Sequence, residues 1–424
     1  MSDVLRLLRA ESRARWFFLA LAQSALGNGA AYVALLLIAY ERFHSPWAIS
    51  LVLLADLLPA MLLGPVFGAA ADRWSRKWCV VGADAIRAAA FIGIALVDSF
   101  STTIGFAVLA GAGTALFTPA ALAGLPSLVP RERVPAATSL YGAITDLGFT
   151  AGPGLAAAFL VLTGPTDILF VNGVTFAASA VMLSQLRFGA AAPGADRAHG
   201  TLVPSLLREA RAGLGVVARM QGVRVVIAGS TAALFFGGLF NVGELPFATN
   251  ELGTSDAGYS VLVALFGVGF ILGSLAGSGG GPGEVLRSRF LLGSLLMGLG
   301  FLLSGLAPTL PAALVTFTVA GFGNGLLLVH ERLIVQADVP DAALGRAFGV
   351  KDALASWAFG VAFFAAGALL TLVSPGELIA AAGIGGLLAC AGSAFGLRRE
   401  LAGEEGRLRW LRSRGRAVGD MRAD

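Results

Sequence analysis

Twelve stretches of about 19 to 28 mostly apolar residues follow one another along these 424 residues, each long enough to carry a helix across a hydrocarbon layer about 30 Å thick. They lie near 16–40, 47–71, 78–98, 101–125, 136–163 and 167–187, then near 223–248, 256–278, 289–307, 312–336, 346–373 and 376–397. Inside lipid every backbone N–H and C=O must find its partner within the protein, so runs of this length predict helices and not strands. Hydrophobic residues make up 56% of the chain and charged ones 13%, which excludes an ordinary water-soluble globule. The expectation is an all-α membrane protein of twelve transmembrane helices in two pseudo-symmetric six-helix bundles. The bundles would cover 1–187 and 223–397, with a linker at 188–222 and a basic tail at 398–424.

Orientation follows from the cations. Of 30 basic residues, all but Arg42, Arg87, Arg332 and Lys351 fall on the two ends, the linker or the alternate connections around Arg73, Arg131, Arg287 and Arg346. The positive-inside rule then predicts a multi-pass protein of the cell (inner) membrane with both termini cytoplasmic. The same rule accounts for the net charge of +4, so nucleic acid is not an expected partner. The first apolar run has no convincing small-residue cleavage site and reads as a retained helix. Cys79 and Cys390 stand alone and read as packing residues, while His44, His199 and His330 are scattered, so no metal or other cofactor is expected. Within the linker, Leu206, Leu207, Ala210, Leu214 and Val217 recur at helical spacing against charged neighbours, predicting an amphipathic segment on the inner membrane surface. The chain also repeats weakly at an offset of about 210 residues, as expected of two related halves.

Between the second and third runs stands "GAAADRWSRK", a tight charged loop with Gly68, Asp72, Arg73, Arg76 and Lys77. Its pattern G-x-x-x-D-R-x-x-R-K resembles the signature hinge of the major facilitator superfamily of secondary transporters, with Ser75 where glycine is usual. The resemblance extends over the whole chain. "GFTAGPGLAAA", with Gly148, Gly152, Pro153 and Gly154, is similar to the helix 5 motif of exporters, and "ADAIRA", with Asp84 and Arg87, to the macrolide-efflux and siderophore-exporter branch. Small residues four apart also simply let helices pack closely. The resemblance implies a monomeric exporter working by alternating access and proton antiport. It also implies that Asp72 caps the start of the eleventh helix, around Gly345 to Val350, in the outward-facing state.

Ionisable residues at membrane depth each cost roughly 3 kcal/mol or more unless paired or hydrated, so function is sought there. Asp84 and Arg87, three apart on one helix, read as a structural pair, and so do Glu331 and Arg332. Asp56, Asp146 and Glu244 have no cation adjacent in sequence and are the proton-coupling candidates, Asp56 and Asp146 lying about 13 and 15 Å into the layer. No lysine or arginine occupies the middle of the first, fourth, fifth, seventh, eighth or eleventh runs, which argues against strongly anionic solutes. Asn28, Asn172, Asn241 and Asn324 are the sparse amides; of these Asn28, Asn241 and Asn324, with Phe149, Phe240 and Trp357, are the cavity candidates. Such a lining suits a small amphiphilic or apolar substrate, a drug, macrolide or siderophore-like compound. The alternatives are a lysophospholipid or other lipid carrier, a nutrient importer, and a transport-inactive sensor or scaffold. No nucleophile–base pair suggests an enzyme.

Overall fold

A computed structural model describes residues 11–43, 45–188, 202–277, 279 and 281–420. Side chains at 46, 64–66, 68–73, 149, 202–210, 341–342 and 399–420 lie outside the described residues. The described chain forms α1 (Ser12–Phe43), α2 (Pro46–Arg73), α3 (Arg76–Leu96), α4 (Phe100–Gly124), α5 (Val134–Leu160), α6 (Pro165–Ser184) and α7 (Leu202–Arg219). It continues as α8 (Gln221–Pro246), α9 (Asp256–Ala276), α10 (Gly283–Gly305), α11 (Leu310–Asp338), α12 (Asp341–Leu369) and α13 (Pro375–Asp420). Proline opens or nearly opens α5, α6 and α11, where its missing N–H would have had no intrahelical partner. Among the described residues eleven helices are long and apolar enough to cross a membrane. The remaining predicted span is α2, whose described apolar stretch Trp47–Leu63 is shorter. α7 is the amphipathic helix of the linker.

The two halves pack by the same scheme. In the first, α1 lies against α5 and α6, α2 against α4, and α3 against α4 and α6; in the second, α8 lies against α12 and α13, α9 against α11, and α10 against α11 and α13. The weak sequence repeat is therefore a repeat of helix contacts. Its register can be seen where backbones nearly touch: Gly111 seats on the backbone of Asp56, and Gly321 on that of Phe266. Gly113 seats against Ala83 and Arg87, and Gly323 against Gly293 and Met297. A side chain at any of these four glycines would run into its neighbour, which is why small residues recur where membrane helices cross.

Across the halves the principal contacts are α5 with α9 and α2 with α12. They belong to one end of the bundle, away from the basic connections. There Trp47 packs edge-on against Phe364 at 5.4 Å, Gly367 accepts Trp47 and Ser50, and Asn250 Nδ2 donates to Tyr40 Oη at 2.6 Å. The largest apolar cluster bridges the halves, joining Ala30–Ala39 and Ala48–Leu53 to Leu239–Ala248 and Tyr259–Leu262. Toward the basic end the cores part. One separate cluster gathers Phe17, Phe18, Val80, Phe117 and Leu125 in the first half; another gathers Val217, Val223, Val335, Val339 and Ala347 in the second. Among the described residues, the halves share a core at one end and keep separate cores toward the other. In the described part of α7, Gly213 abuts Arg346 and Val350 of α12, and Val217 joins the buried cluster with Val223, Val335 and Ala347.

Candidate functional site

Several polar side chains stand between the halves at the depth of the apolar helices. On α1, Gly27 faces Asn172 and Thr175 of α6, while Gly29 is pressed against Gly148 and Gly152 of α5. Asn28 lies between those two contact faces and Tyr32 one turn beyond it, on the arc turned to the second half. Asn28 is exposed, Tyr32 half-buried and Asp56 of α2 exposed. Tyr32 lies within electrostatic reach of Asp56 and of Glu244 across the divide. On α5, Thr150 touches Gly267 of α9. Asp146 stands one turn nearer the basic end and is exposed. The cation it faces is Arg332 of α11, within electrostatic reach although absent from its sequence neighbourhood.

Glu244 of α8 has a different setting. It is 4% exposed and its Oε1 accepts a hydrogen bond of 2.9 Å from the hydroxyl of Tyr259, itself fully buried on α9. A few residues on, Pro246 leads into a wide helical turn over Phe247–Glu251 that redirects the chain. The three proton-coupling candidates thus occupy different environments: Glu244 buried, and Asp56 and Asp146 exposed, within electrostatic reach of Arg87 and of Arg332.

The structural charge pairs divide. Asp84 and Arg87 pair directly, both buried, and the guanidinium lies 4.3 Å from the ring centres of Phe117 and Phe176. Glu331, however, pairs with Lys351 of α12 at 3.5 Å and accepts a hydrogen bond from Ser230 of α8, tying three helices together. Arg332 points away, exposed. Lys351 also lies 3.3 Å from Asp352.

The remaining candidates are placed as follows. Phe240 is 1% exposed and stacks on Phe266 and Phe301 with Phe317 tilted beside them, so it is core of the second half and not cavity wall. Trp357 shares an exposed face of α12 with Leu354, Val361 and Phe364, opposite the face that packs with Ala362, Phe363 and Ala366. Phe364 of that face also meets Trp47 of α2. Asn241 and Asn324 are half-buried, and Asn324 Oδ1 lacks a hydrogen-bond partner. Gly148 and Gly152 serve the close approach of α1 to α5, while Gly154 faces Ala264 of the other half. Arg76 and Lys77 are half-buried beside exposed Trp74 and Trp78; the side chains of Asp72, Arg73 and Phe149, and Gly68 with them, lie outside the described residues. Sequence reasoning missed Tyr32, Tyr259 and Lys351, whose polar ends matter only once the helices are assembled. A separate pocket of about 310 Å³ lies between α1, α5 and α6, lined by Leu26, Leu155, Phe159, Ile168 and Val171. It sits on the side of α1 opposite Asn28 and Tyr32.

This architecture matches known proteins along nearly its whole length. The chain is 29% identical over 372 residues to the multidrug efflux pump Tap of Mycolicibacterium fortuitum, covering 84% of this chain and 87% of that protein. It is 26% identical over 377 residues to Tap of Mycobacterium tuberculosis, covering 85% of each. Among solved structures, a bacterial homologue of the lysosomal transporter Spinster, inward-facing and occupied, superposes with a TM-score of 0.68 at 15% identity over 91% of this chain and 96% of that one. The nucleoside transporter NupG gives 0.68 at 15% identity over 92% and 99%. With the Major Facilitator Superfamily model matching residues 17–350, the chain belongs to that superfamily of membrane transporters.

Proposed function

We propose that this protein is a proton-driven exporter of small amphiphilic compounds, of the multidrug kind named for its relatives, set in the cell membrane with both termini cytoplasmic. The observation that supports the reading is the arrangement between the halves: their cores join at one end and, among the described residues, stay separate toward the basic end, while carboxyl groups and one amide stand exposed on otherwise apolar helices. An amphiphile gains from the apolar wall and orients by the few polar groups. Alternating access then consists of the two bundles rocking about the α5–α9 and α2–α12 contacts, closing the basic end as the opposite end parts. In that motion Asp146 and Arg332 approach one another, while the buried contacts around Glu244 are broken. A carboxylate that exchanges its electrostatic partners between two states binds protons differently in each, which links proton flow to the rocking. Asp72 belongs to the same closure: the hinge loop and the start of α12 are both at the basic end, and its carboxylate suits the positive end of that helix.

The test uses purified protein in liposomes of phosphatidylethanolamine and phosphatidylglycerol, with ethidium as the probe. An imposed pH gradient drives ethidium against its own gradient, and collapse of the pH gradient abolishes the movement. Transport that ignores the pH gradient removes proton antiport, and failure of ethidium and a panel of other amphiphilic cations to move at all removes the substrate class.

A further inference from the structure

The pocket between α1, α5 and α6 belongs to the first half alone. Small residues of α1 make its room: Gly27 and Ala30 line it, and a carbon added to Gly27 would come within 2.6 Å of Asn172 Oδ1. Three of its wall residues, Leu155, Phe159 and Val171, are 39%, 49% and 52% exposed on helices at membrane depth, so it opens sideways toward the bilayer. Along α6 it runs from Asp167 to Thr175, about 12 Å, and its 310 Å³ is room for about ten methylene-sized groups at about 30 Å³ each. Its polar groups are few, and most are engaged. Gln23 Nε2 donates to the Thr175 C=O at 2.8 Å, the Thr163 hydroxyl to the Phe159 C=O at 3.1 Å, and Asp167 Oδ2 accepts from the Gly164 N–H at 3.2 Å. The Thr175 hydroxyl donates to the Asn172 C=O at 2.8 Å and lies 3.2 Å from Asn172 Oδ1. Asn172 Nδ2 is the exception. Its residue is 1% exposed, and among the described residues the amide N–H has no acceptor. A buried donor left so is costly, and it is answered by an oxygen brought in from outside.

We propose that this pocket is a second ligand site, taking an uncharged lipophilic carbonyl compound from the bilayer, whose oxygen accepts from Asn172 Nδ2 while its apolar body lies along Leu26, Leu155, Phe159 and Ile168. Depth, charge and size set that class. α6 has 20 residues, about 30 Å, which matches the hydrocarbon layer, and Asn172 lies about 10 Å past its first residue, Pro165. A phospholipid held by its headgroup keeps its ester oxygens at the edge of that layer and does not reach so far. The lining holds one charged side chain, Asp167 near the start of α6, so the carboxylate of a fatty acid is repelled. An ammonium group would set donor against donor at Asn172, which separates this ligand from the amphiphilic cations assigned to the space between the halves. Room for about ten methylene-sized groups suits a pair of rings or one short chain. Because the site lies on the side of α1 opposite Asn28 and Tyr32, within one half, its occupant moves with that half and does not compete with the exported compound. The site stands whether or not transport is proton-driven.

Benzophenone is the probe: two rings, one carbonyl, no charge. Under near-ultraviolet light its carbonyl adds across a neighbouring C–H bond, the hydrogen passing to the oxygen and the two carbons joining, so the whole probe stays on the protein. The full chain in liposomes of phosphatidylethanolamine and phosphatidylglycerol is irradiated over a concentration series, and the adducts are mapped by mass spectrometry. Labelling of Leu26, Leu155, Phe159 and Val171 is expected to saturate and to exceed at least tenfold that of Val181 and Leu388, which are exposed elsewhere on apolar helices. Phenyl benzoate is expected to displace the probe at least tenfold better than bibenzyl, a hydrocarbon of the same shape, at equal concentration in the membrane. Asn172→Leu abolishes that preference, and Leu155→Trp, at an exposed position, lowers pocket labelling at least tenfold with the amide intact. Excess ethidium leaves the labelling within twofold. Labelling that does not saturate or is no greater than at Val181 and Leu388, or phenyl benzoate and bibenzyl competing equally in the wild type, would overturn the site whatever the variants do. Displacement by ethidium would make the pocket part of the transport path and overturn its independence.

Discussion

The pseudo-symmetry supplies a controlled experiment on the buried ion pair of α3. The repeat register that matches Gly113 to Gly323 and Ala83 to Gly293 sets Ser294 and Met297 at the places of Asp84 and Arg87. One half thus holds a charged pair where its counterpart holds a hydroxyl and a thioether. Asp84 is fully buried and Arg87 is 8% exposed, so replacing Asp84 by Ser leaves a buried cation without its direct partner and with only Asp56, among the described residues, in electrostatic reach, at a cost of about 3–5 kcal/mol. The rings of Phe117 and Phe176 remain around the guanidinium and retain about 1 kcal/mol each, which places the loss near the lower figure, about 3 kcal/mol. Arg87→Met alone strands Asp84 at a similar cost. The double substitution copies the other half and removes both desolvation penalties, so its expected loss is about 1 kcal/mol or less, far below the sum of about 6 kcal/mol for independent effects. Unfolding of the purified protein by sodium dodecyl sulfate in mixed micelles, followed by circular dichroism, reads all four variants. A double variant as unstable as the two singles summed would show that the pair does not act as a unit, and a single Asp84→Ser loss below about 1 kcal/mol would show that Arg87 does not depend on it.

Other consequences are open to direct measurement. Charge exchange at Asp146→Arg with Arg332→Asp is expected to restore ethidium transport that each single change lowers by tenfold or more, and no recovery in the double would exclude an attraction across the closing cleft. Gly29→Leu forces a side chain into the Gly148 carbonyl and is expected to abolish membrane abundance, whereas a Leu at Gly142, which meets no neighbour, leaves abundance unchanged by immunoblot. Cysteines at Ala195 and Thr254 are expected to react with impermeant reagents from opposite membrane faces; reaction of both in intact cells would refute the assigned topology.

The scaffold was legible because it depends on properties a sequence carries locally: the length of each apolar run, the alternation of arginine between connections, and the offset of the two halves. The Asp84–Arg87 pair was legible for the same reason, three residues being one helical turn. The site was read less well where partners come from different helices. Glu331 finds Lys351 twenty positions away instead of its neighbour Arg332, and Asp146 faces Arg332 of the other half. Phe240 and Trp357 were equally apolar candidates in sequence, and only packing sends one into a buried ring stack and leaves the other exposed on α12. Tyr32 and Tyr259 gave no sequence signal at all, because a phenol looks like any aromatic residue until a carboxyl group is set beside it.

The halves share their helix contacts and their glycine seats, but not their charges. At the repeat register Phe266 stands where the first half has Asp56, and Ser356 where it has Asp146. Two bundles rocking through similar arcs therefore carry unequal charge through the membrane's electric field. A full elementary charge crossing 100 mV gains or loses about 2.3 kcal/mol, so a net displacement of even a quarter of a charge changes the ratio of the two open states by roughly 2.5-fold. Voltage becomes an input to the resting conformation, independent of any substrate and of the pH difference, and its sign follows from which carboxyl groups hold protons at that moment.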